Sequence, residues 1–202
     1  PMDVKTMNIH LMSMSAHKVY GPKGIGALYR RKSNPRAQME PIIYGGGHER
    51  GLRSGTLNVP GIVGFGKALE IAQHEMPQES DRHRTWTAEM YQRLANGLGA
   101  VFLNGHPARR LPHNLSISIA GVDSRALIVK LKGMAIATGS ACTSINVEPS
   151  HVIGALGFGE DRSHNTIRIS VGRANSDTQI ESAIQRLMLA ARDLRIITSG
   201  YF

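Results

Sequence analysis

A layered α/β fold is predicted for this 202-residue chain by two observations. From residue 101 onward, short apolar runs alternate with segments of helical periodicity, which is typical of a sheet covered by helices. Nearer the start of the chain, two short apolar runs at residues 9–14 and 25–29 are bounded by polar or glycine-rich turns. Runs of this length predict buried strands.

The segment between residues 32 and 77 predicts a loop, a short strand and a helix. Residues 32–40 are polar and read as a loop, and Ile42 with Ile43 predicts a strand. Pro60 is expected to open a helix with a broad apolar face. Residues 61–67 match most of a P-loop, but Ala68 stands where the magnesium-binding hydroxyl belongs, so helix is preferred to a nucleotide site.

Pro77 is predicted to end that helix, and a second helix is expected over residues 79–98, with Trp86, Met90, Tyr91, Leu94 and Leu98 facing inward. A domain boundary is placed here, giving residues 1–76 and 77–202. The second part predicts strands at 101–103, 114–119, 135–137 and 166–171. Helices are expected at 124–132, from 149 onward and at 178–195, with Ser124 and Asp177 as N-caps.

Composition limits the classes of function. The formal charge is +9 and the pI about 10.1, which favours acidic partners, but the basic residues are scattered and only 5% of residues are aromatic. Direct nucleic-acid binding is therefore not expected, although a basic binding module remains an alternative. A single cysteine rules out an internal disulfide and fits a reducing, cytoplasmic location. No apolar run is long enough to predict a membrane span.

Lys18 is the first candidate for chemistry. It follows an apolar run, and desolvation there would favour the neutral amine that forms Schiff bases. Ser15 and His17 lie two residues apart, on one side of an extended chain, and could bind a single anion. A solvated loop lysine is the alternative, and residues 15–18 alone favour it.

A glycine-rich stretch at residues 45–56 is the second candidate. Its glycines would let backbone amides approach a ligand or a neighbouring chain, with Arg50, Arg53 and Thr56 close by. A flexible surface loop is the alternative.

Cys142 and Arg168 complete the set. Cys142 lies in a loop of glycine, serine and threonine, where a thiol can be exposed and act as a nucleophile, or can be incidental. With no second cysteine and no ligand spacing among the histidines, no metal site is predicted. Arg168 lies within an apolar strand and needs an anion, either a substrate carboxylate or a structural ion pair.

Four segments together resemble the cysteine desulfurases of the NifS/IscS type. They are residues 15–29, 45–56 and 139–144, and the stretch around Arg168. Each motif alone is moderately specific, whereas four in order are highly specific, and the resemblance covers essentially the whole chain. It implies the C-terminal part of a pyridoxal 5'-phosphate (PLP) enzyme of fold type I, class V aminotransferase, in which the end of the large domain is followed by a small α/β domain.

The resemblance also implies roles for individual residues. Lys18 would carry PLP, with Ser15 and His17 on its phosphate, and Thr56 would reach the phosphate of the partner subunit in a homodimer. Cys142 would receive the sulfur as a persulfide. Arg168 would hold the carboxylate of L-cysteine, and Asn114 resembles a position near the substrate.

The implied reaction converts L-cysteine to L-alanine. Sulfur would then pass to acceptor or scaffold proteins that serve iron–sulfur clusters, tRNA thiolation or DNA phosphorothioation. Another class V PLP enzyme, such as a selenocysteine lyase or an aminotransferase, remains an alternative, and no membrane partner is expected.

One departure from the family pattern concerns length. Members of the family are about twice as long. Their N-terminal half, which this chain lacks, would supply the aspartate that pairs with the pyridine nitrogen. We therefore expect the chain to be a piece of a longer, active protein and to be inactive alone.

Overall fold

The computed structural model describes residues 2–33, 37–138 and 150–199, with side chains through Ile196. The chain divides into two compact units, Pro1–Pro77 and Gln78–Phe202. The break lies beside the boundary expected from the sequence. That the units are a large PLP-binding domain and a small domain with the cysteine loop stays a prediction.

The first unit contains one antiparallel pair of strands. Strands β1 (Leu11–Ser15) and β2 (Gly26–Arg30) pair with Leu11 opposite Arg30 and Ser15 opposite Gly26. The prediction that both strands are buried is wrong for this unit, since Leu11 is 44% and Leu28 52% exposed. Among the described residues no third strand joins the pair.

The strand predicted at Ile42 and Ile43 is also wrong. These residues lie in an irregular segment, and the Ile42 side chain is 92% exposed. Two apolar residues make a strand only where a neighbouring strand takes up their backbone hydrogen bonds, and none lies beside them in the described part of the chain.

One long helix replaces the two that the sequence predicted. Helix α1 (Val59–Leu98) continues through Pro77, although a proline inside a helix removes one backbone hydrogen bond and crowds the preceding turn. The break between the two units falls at this proline. The P-loop-like residues 61–67 lie within α1, which confirms that they are helical.

The second unit is built on a four-stranded antiparallel sheet. Its strands are β3 (Val101–Leu103), β4 (Asn114–Ile119), β5 (Ala137–Thr138) and β6 (Thr166–Ser170), in the spatial order β3-β4-β6-β5. The helices are α2 (Ser124–Lys130), α3 (His151–Ala155), α4 (Glu160–His164) and α5 (Asp177–Ser199). Strands alternating with helices confirm the predicted α/β class.

One face of this sheet carries the core. Buried side chains of β4 and β6 join those of α1 and α5 in a single cluster whose members include Met90, Leu94, Leu115, Ile117, Ile119, Ile167, Ile169, Ile184 and Leu187. Trp86, Met90 and Leu94 are buried as predicted, and Tyr91 and Leu98 are partly buried against the cluster. Each large apolar side chain buried here stabilises the unit by about 1.5–3 kcal/mol.

Several predicted element ends differ from those observed. Asp123, not Ser124, caps α2, because its carboxylate accepts hydrogen bonds from the backbone N–H groups of Arg125 and Ala126 at 3.0 and 2.9 Å. Asp177 is the first residue of α5, and its carboxylate accepts a hydrogen bond from Trp86 Nε1 at 2.6 Å. Strand β5 begins two residues later than predicted, and the helix predicted from residue 149 begins at His151.

None of the described helices combines the length and apolar character required to cross a membrane.

We expect His83 to make the stability of the second unit sensitive to pH. Its side chain is buried in α1, and Nε2 finds no hydrogen-bond partner among the described residues. Burial lowers the pKa of His83; Glu79 acts in the opposite direction, whereas Arg82 and His113 reinforce the lowering. The unfolded chain therefore binds this proton first, so stability should fall as the pH drops below about 6.5.

The measurement is urea unfolding at several pH values between about 5 and 8. His83→Gln should flatten the decline towards acid because glutamine does not titrate. The matched control is His74→Gln, which removes an exposed histidine of the same helix. A slope that His83→Gln leaves unchanged would contradict the prediction.

Candidate functional site

Lys18 lies in a tight turn between the two strands of the first unit. The turn is a 3₁₀ helix, Ala16–Val19, and Tyr20 after it adopts a left-handed conformation with φ of 62°. The N–H of Gly21 donates to the carbonyl of Ala16 at 2.9 Å, and the N–H of Ala16 donates to the carbonyl of Ile25 at 3.1 Å. Backbone hydrogen bonds therefore define the path of the chain around Lys18.

The side chains of this turn are accessible. Lys18 and His17 are exposed and Ser15 is half-buried, so the expected desolvation of the lysine is wrong for this unit. The strands beside it are themselves partly exposed, which leaves the amine in solvent. Lys18 makes no hydrogen bond or ion pair with another described residue, so its amine is available to a ligand.

The chemistry of the turn fits a phosphate-bearing aldehyde such as PLP. An amine, a hydroxyl and an imidazole occur within four residues, and residues 11–26 contain no Asp or Glu to repel a phosphate. Lys18 supplies the amine, Ser15 the hydroxyl and His17 the imidazole.

The glycine-rich segment is organised by its own contacts. The side chain of the buried residue Ser54 accepts a hydrogen bond from the N–H of Gly47 at 3.4 Å, and the N–H of Gly55 donates to His48 Nδ1 at 3.3 Å. Gly47 and Gly55 have φ of 74° and 112°, which side chains rarely tolerate. Thr56 follows directly and is exposed, which leaves its hydroxyl accessible.

The second unit has a polar sheet face opposite the core. Three pairs of residues lie directly across from one another on β4 and β6: Asn114 with Ser170, Ser116 with Arg168, and Ser118 with Thr166. Directly opposed residues share a face, whereas the alternate pairs, such as Ile117 with Ile167, point into the core. We call these six residues the polar face.

One end of the polar face is closed by hydrogen bonds. The hydroxyls of Ser118 and Thr166 lie 2.8 Å apart, and Asn104 Oδ1 accepts from Ser118 at 3.1 Å and from Arg162 Nε at 3.0 Å. The Arg162 guanidinium also stacks on Phe158, with its Cζ 3.5 Å from the ring centre. These groups therefore satisfy one another through contacts within the protein.

The opposite end of the polar face, which we call the open end, has polar groups without hydrogen-bond partners among the described residues. Asn114 Oδ1 is buried without a hydrogen-bond partner among the described residues. Arg168, half-buried on the neighbouring strand, makes no hydrogen bond or ion pair with another residue of the described ranges. No structural ion pair for Arg168 is therefore seen among the described residues, and a ligand carboxylate is one partner that would suit its guanidinium.

The candidate residues fall into two groups, with one outside the described part of the chain. His17 and Lys18 lie in the turn of the first unit and Ser15 directly before it, and Thr56 lies in another segment of the same unit. Asn114 and Arg168 are diagonal neighbours on the polar face of the second unit. Cys142 lies outside the described residues, so its role stays a prediction. The described residues contain no cluster of three metal-ligating side chains.

Asn104 and Arg162 were missed by the sequence analysis. The alternation of polar and apolar residues in β4 indicates that one face of the strand is polar. The sequence does not indicate that Arg162 of α4 contacts this face through Asn104, because that contact joins distant segments. The sequence around Arg162 has no periodicity that would identify this residue.

Comparison with known proteins places these features in a family. The aminotransferase class-V family model matches residues 1–182. A protein named cysteine desulfurase IscS from Anaeromyxobacter sp. (strain Fw109-5) is 45% identical over 201 residues, which are 100% of this chain and 50% of that protein.

Solved structures agree. One titled NifS-like protein superposes with a TM-score of 0.80 at 32% identity, over 94% of this chain and 48% of that one. Another, titled SspA in complex with cysteine, gives a TM-score of 0.63 at 34% identity, over 84% of this chain and 46% of that one. The chain spans about half the length of the curated relatives it matches. It belongs to the aminotransferase class-V family, whose members have the fold type I architecture and depend on PLP.

Proposed function

We propose that this chain is part of a PLP-dependent cysteine desulfurase that converts L-cysteine to L-alanine and holds the released sulfur as a persulfide on Cys142. The observation that carries the proposal is the 45% identity to a protein named cysteine desulfurase along the full length of this chain. The exposed amine of Lys18 and the open end of the polar face supply groups that such a reaction needs.

The proposed role of each residue follows from its side-chain chemistry. Lys18 holds the cofactor and, as a free amine, moves a proton at Cα of the substrate. Ser15 and His17 bind the cofactor phosphate, and Thr56 binds the phosphate of the partner subunit. PLP, when bound, supplies an electron sink. Arg168 orients the substrate through its carboxylate, with Asn114 beside it.

Sulfur transfer balances without an external oxidant. The thiolate of Cys142 attacks the sulfur of L-cysteine, so an S–S bond forms as the substrate Cβ–S bond breaks. The substrate Cβ gains a proton and leaves as the methyl group of alanine. Carbon is reduced and sulfur is oxidised within the same pair of molecules.

The proposal extends to the surroundings of the enzyme. A homodimer follows from the role of Thr56, and acceptor or scaffold proteins would take the sulfur towards iron–sulfur clusters, tRNA thiolation or DNA phosphorothioation. The single cysteine suits a reducing compartment, and we propose a cytoplasmic location on that ground. The chain alone is expected to be inactive, so activity should be measured in the longest form of the protein that the gene encodes.

The test is detection of the persulfide. That longest form, supplied with PLP and L-cysteine, should produce alanine and gain one sulfur atom on the peptide that contains Cys142, measured by mass spectrometry after thiol alkylation. An aminotransferase would instead move the amino group to a keto acid and leave the thiol unmodified. A nucleic-acid-binding module would show neither product, but steeply salt-dependent binding to DNA or RNA. Either result would overturn the proposal.

A further inference from the structure

Helix α1 approaches the Lys18 turn closely at a glycine. A Cβ atom added to Gly64 would lie 2.7 Å from Cγ and 3.2 Å from Cδ of Pro22. Real Cβ contacts essentially never fall below 3.0 Å. The proline ring closes onto its own backbone nitrogen and cannot rotate away, so either the helix or the turn would have to move. Only glycine at position 64 permits the observed packing.

A second close contact extends this packing to the base of the turn. A Cβ on Gly21 would lie 2.9 Å from the carbonyl oxygen of Ala16 and 3.1 Å from Cβ of Ala68. Ala16 is fully buried and begins the turn that carries Lys18. Gly21 and Pro22 are therefore packed against α1, while the backbone hydrogen bonds described above tie Gly21 to Ala16.

We propose that Gly64 is a positioning residue for Lys18. Its lack of a side chain lets Pro22 pack on the helix, and this packing holds the turn in the geometry that presents the amine. The proposal rests on the proposed function only where it concerns PLP, because the steric argument concerns the fold of the first unit.

Gly64→Ala, which adds a single methyl group, should disturb the Lys18 turn strongly. Forcing extra atoms into a packed contact strains both partners, and displacement of a reacting group by about 1 Å can reduce a rate by about 10²-fold. Gly64 lies inside a helix, where glycine is intrinsically less favourable than alanine. In the absence of the Pro22 contact, alanine at this position would therefore stabilise α1.

Gly66 offers a matched control. It lies two residues away in the same helix, is exposed, and a Cβ added there would meet no atom within 4 Å. Gly64→Ala and Gly66→Ala thus add the same methyl group to the same helix, and only the first meets Pro22.

The experiment is limited trypsin digestion, without added PLP, of the longest form of the protein that the gene encodes, because Lys18 lies in the turn and Lys23 follows it five residues later. Gly64→Ala should increase cleavage after these lysines about tenfold or more, since cleavage follows the population of the locally opened turn. Gly66→Ala should leave it within about twofold of the wild-type rate. Pro22→Ala removes the ring atoms that clash, so Pro22→Ala with Gly64→Ala should be cleaved no faster than Pro22→Ala alone.

Equal cleavage of Gly64→Ala and Gly66→Ala would overturn the proposal. The proposal would also fail if the variant Pro22→Ala with Gly64→Ala were cleaved as fast as Gly64→Ala. If Gly64→Ala is unfolded by circular dichroism, a double variant that is unfolded as well would contradict it in the same way. In both cases the clash would not involve Pro22.

PLP binding separates this proposal from the proposed function. In the longest form of the protein, borohydride should trap PLP on Lys18 in wild type and in Gly66→Ala, and less of it in Gly64→Ala. No adduct in wild type would refute the proposed function while leaving the digestion result intact. A wild-type level of adduct in Gly64→Ala would refute the positioning of the amine.

Discussion

Replacing Lys18 with alanine should abolish alanine production from L-cysteine in the longest form of the protein. The substitution removes the exposed amine that we assign to cofactor attachment and to proton transfer at the substrate Cα. Proton transfer by a positioned side chain contributes about 10²–10⁴-fold. Because the covalent attachment is lost as well, a decrease of at least about 10³-fold is expected.

Two measurements check this result. Alanine release gives the rate, and mass spectrometry after borohydride reduction gives the fraction of protein that carries PLP on the Lys18 peptide. Lys23→Ala is the matched control, because Lys23 is also exposed and lies five residues further along the same connection between β1 and β2. The assignment fails if Lys23→Ala loses the adduct, or if Lys18→Ala retains one.

The second unit was predictable from its sequence because its elements are strongly periodic. Strand β4 alternates polar and apolar residues, and its apolar set, Leu115, Ile117 and Ile119, is buried as that pattern requires. Trp86, Met90 and Leu94 in α1 follow helical spacing and reach the same core. In these segments local pattern and tertiary packing favour one outcome.

The first unit was less predictable, for two physical reasons. The propensity of Pro77 to end a helix is a local preference, and the surrounding helical residues override it. Apolar runs such as residues 25–29 indicate a strand but do not say what covers it, so burial was inferred where Leu28 is in fact half exposed.

The candidate site was only partly accessible to sequence reasoning. An arginine between isoleucines signalled a need for an anion, because a charge on an apolar strand is costly without one. The register that opposes Arg168 to Ser116 and the network that closes the far end of the same face depend on contacts between distant segments. Without them, the difference between the closed and the open end cannot be seen.

The second large effect is expected at the open end of the polar face, where Arg168 lies. Arg168→Ala should lower kcat/KM for L-cysteine by about 10- to 100-fold, since hydrogen bonds to charged groups contribute about 1.5–3 kcal/mol. Most of the loss should appear as a higher KM, because Arg168 is assigned to binding and not to proton transfer. Arg168→Lys should recover only part of it, because an ammonium group cannot form the bidentate pair.

Cysteamine, which is L-cysteine without its carboxylate, isolates the contact. The wild-type protein should bind L-cysteine more tightly than cysteamine, and Arg168→Ala should remove that preference while leaving cysteamine binding nearly unchanged. Arg125→Ala removes an exposed arginine from α2 and should keep the wild-type preference. If Arg168→Ala weakened both ligands equally, the side chain would be stabilising the sheet and not recognising a carboxylate. The orphaned Asn114 and the unpaired guanidinium among the described residues would then need another ligand.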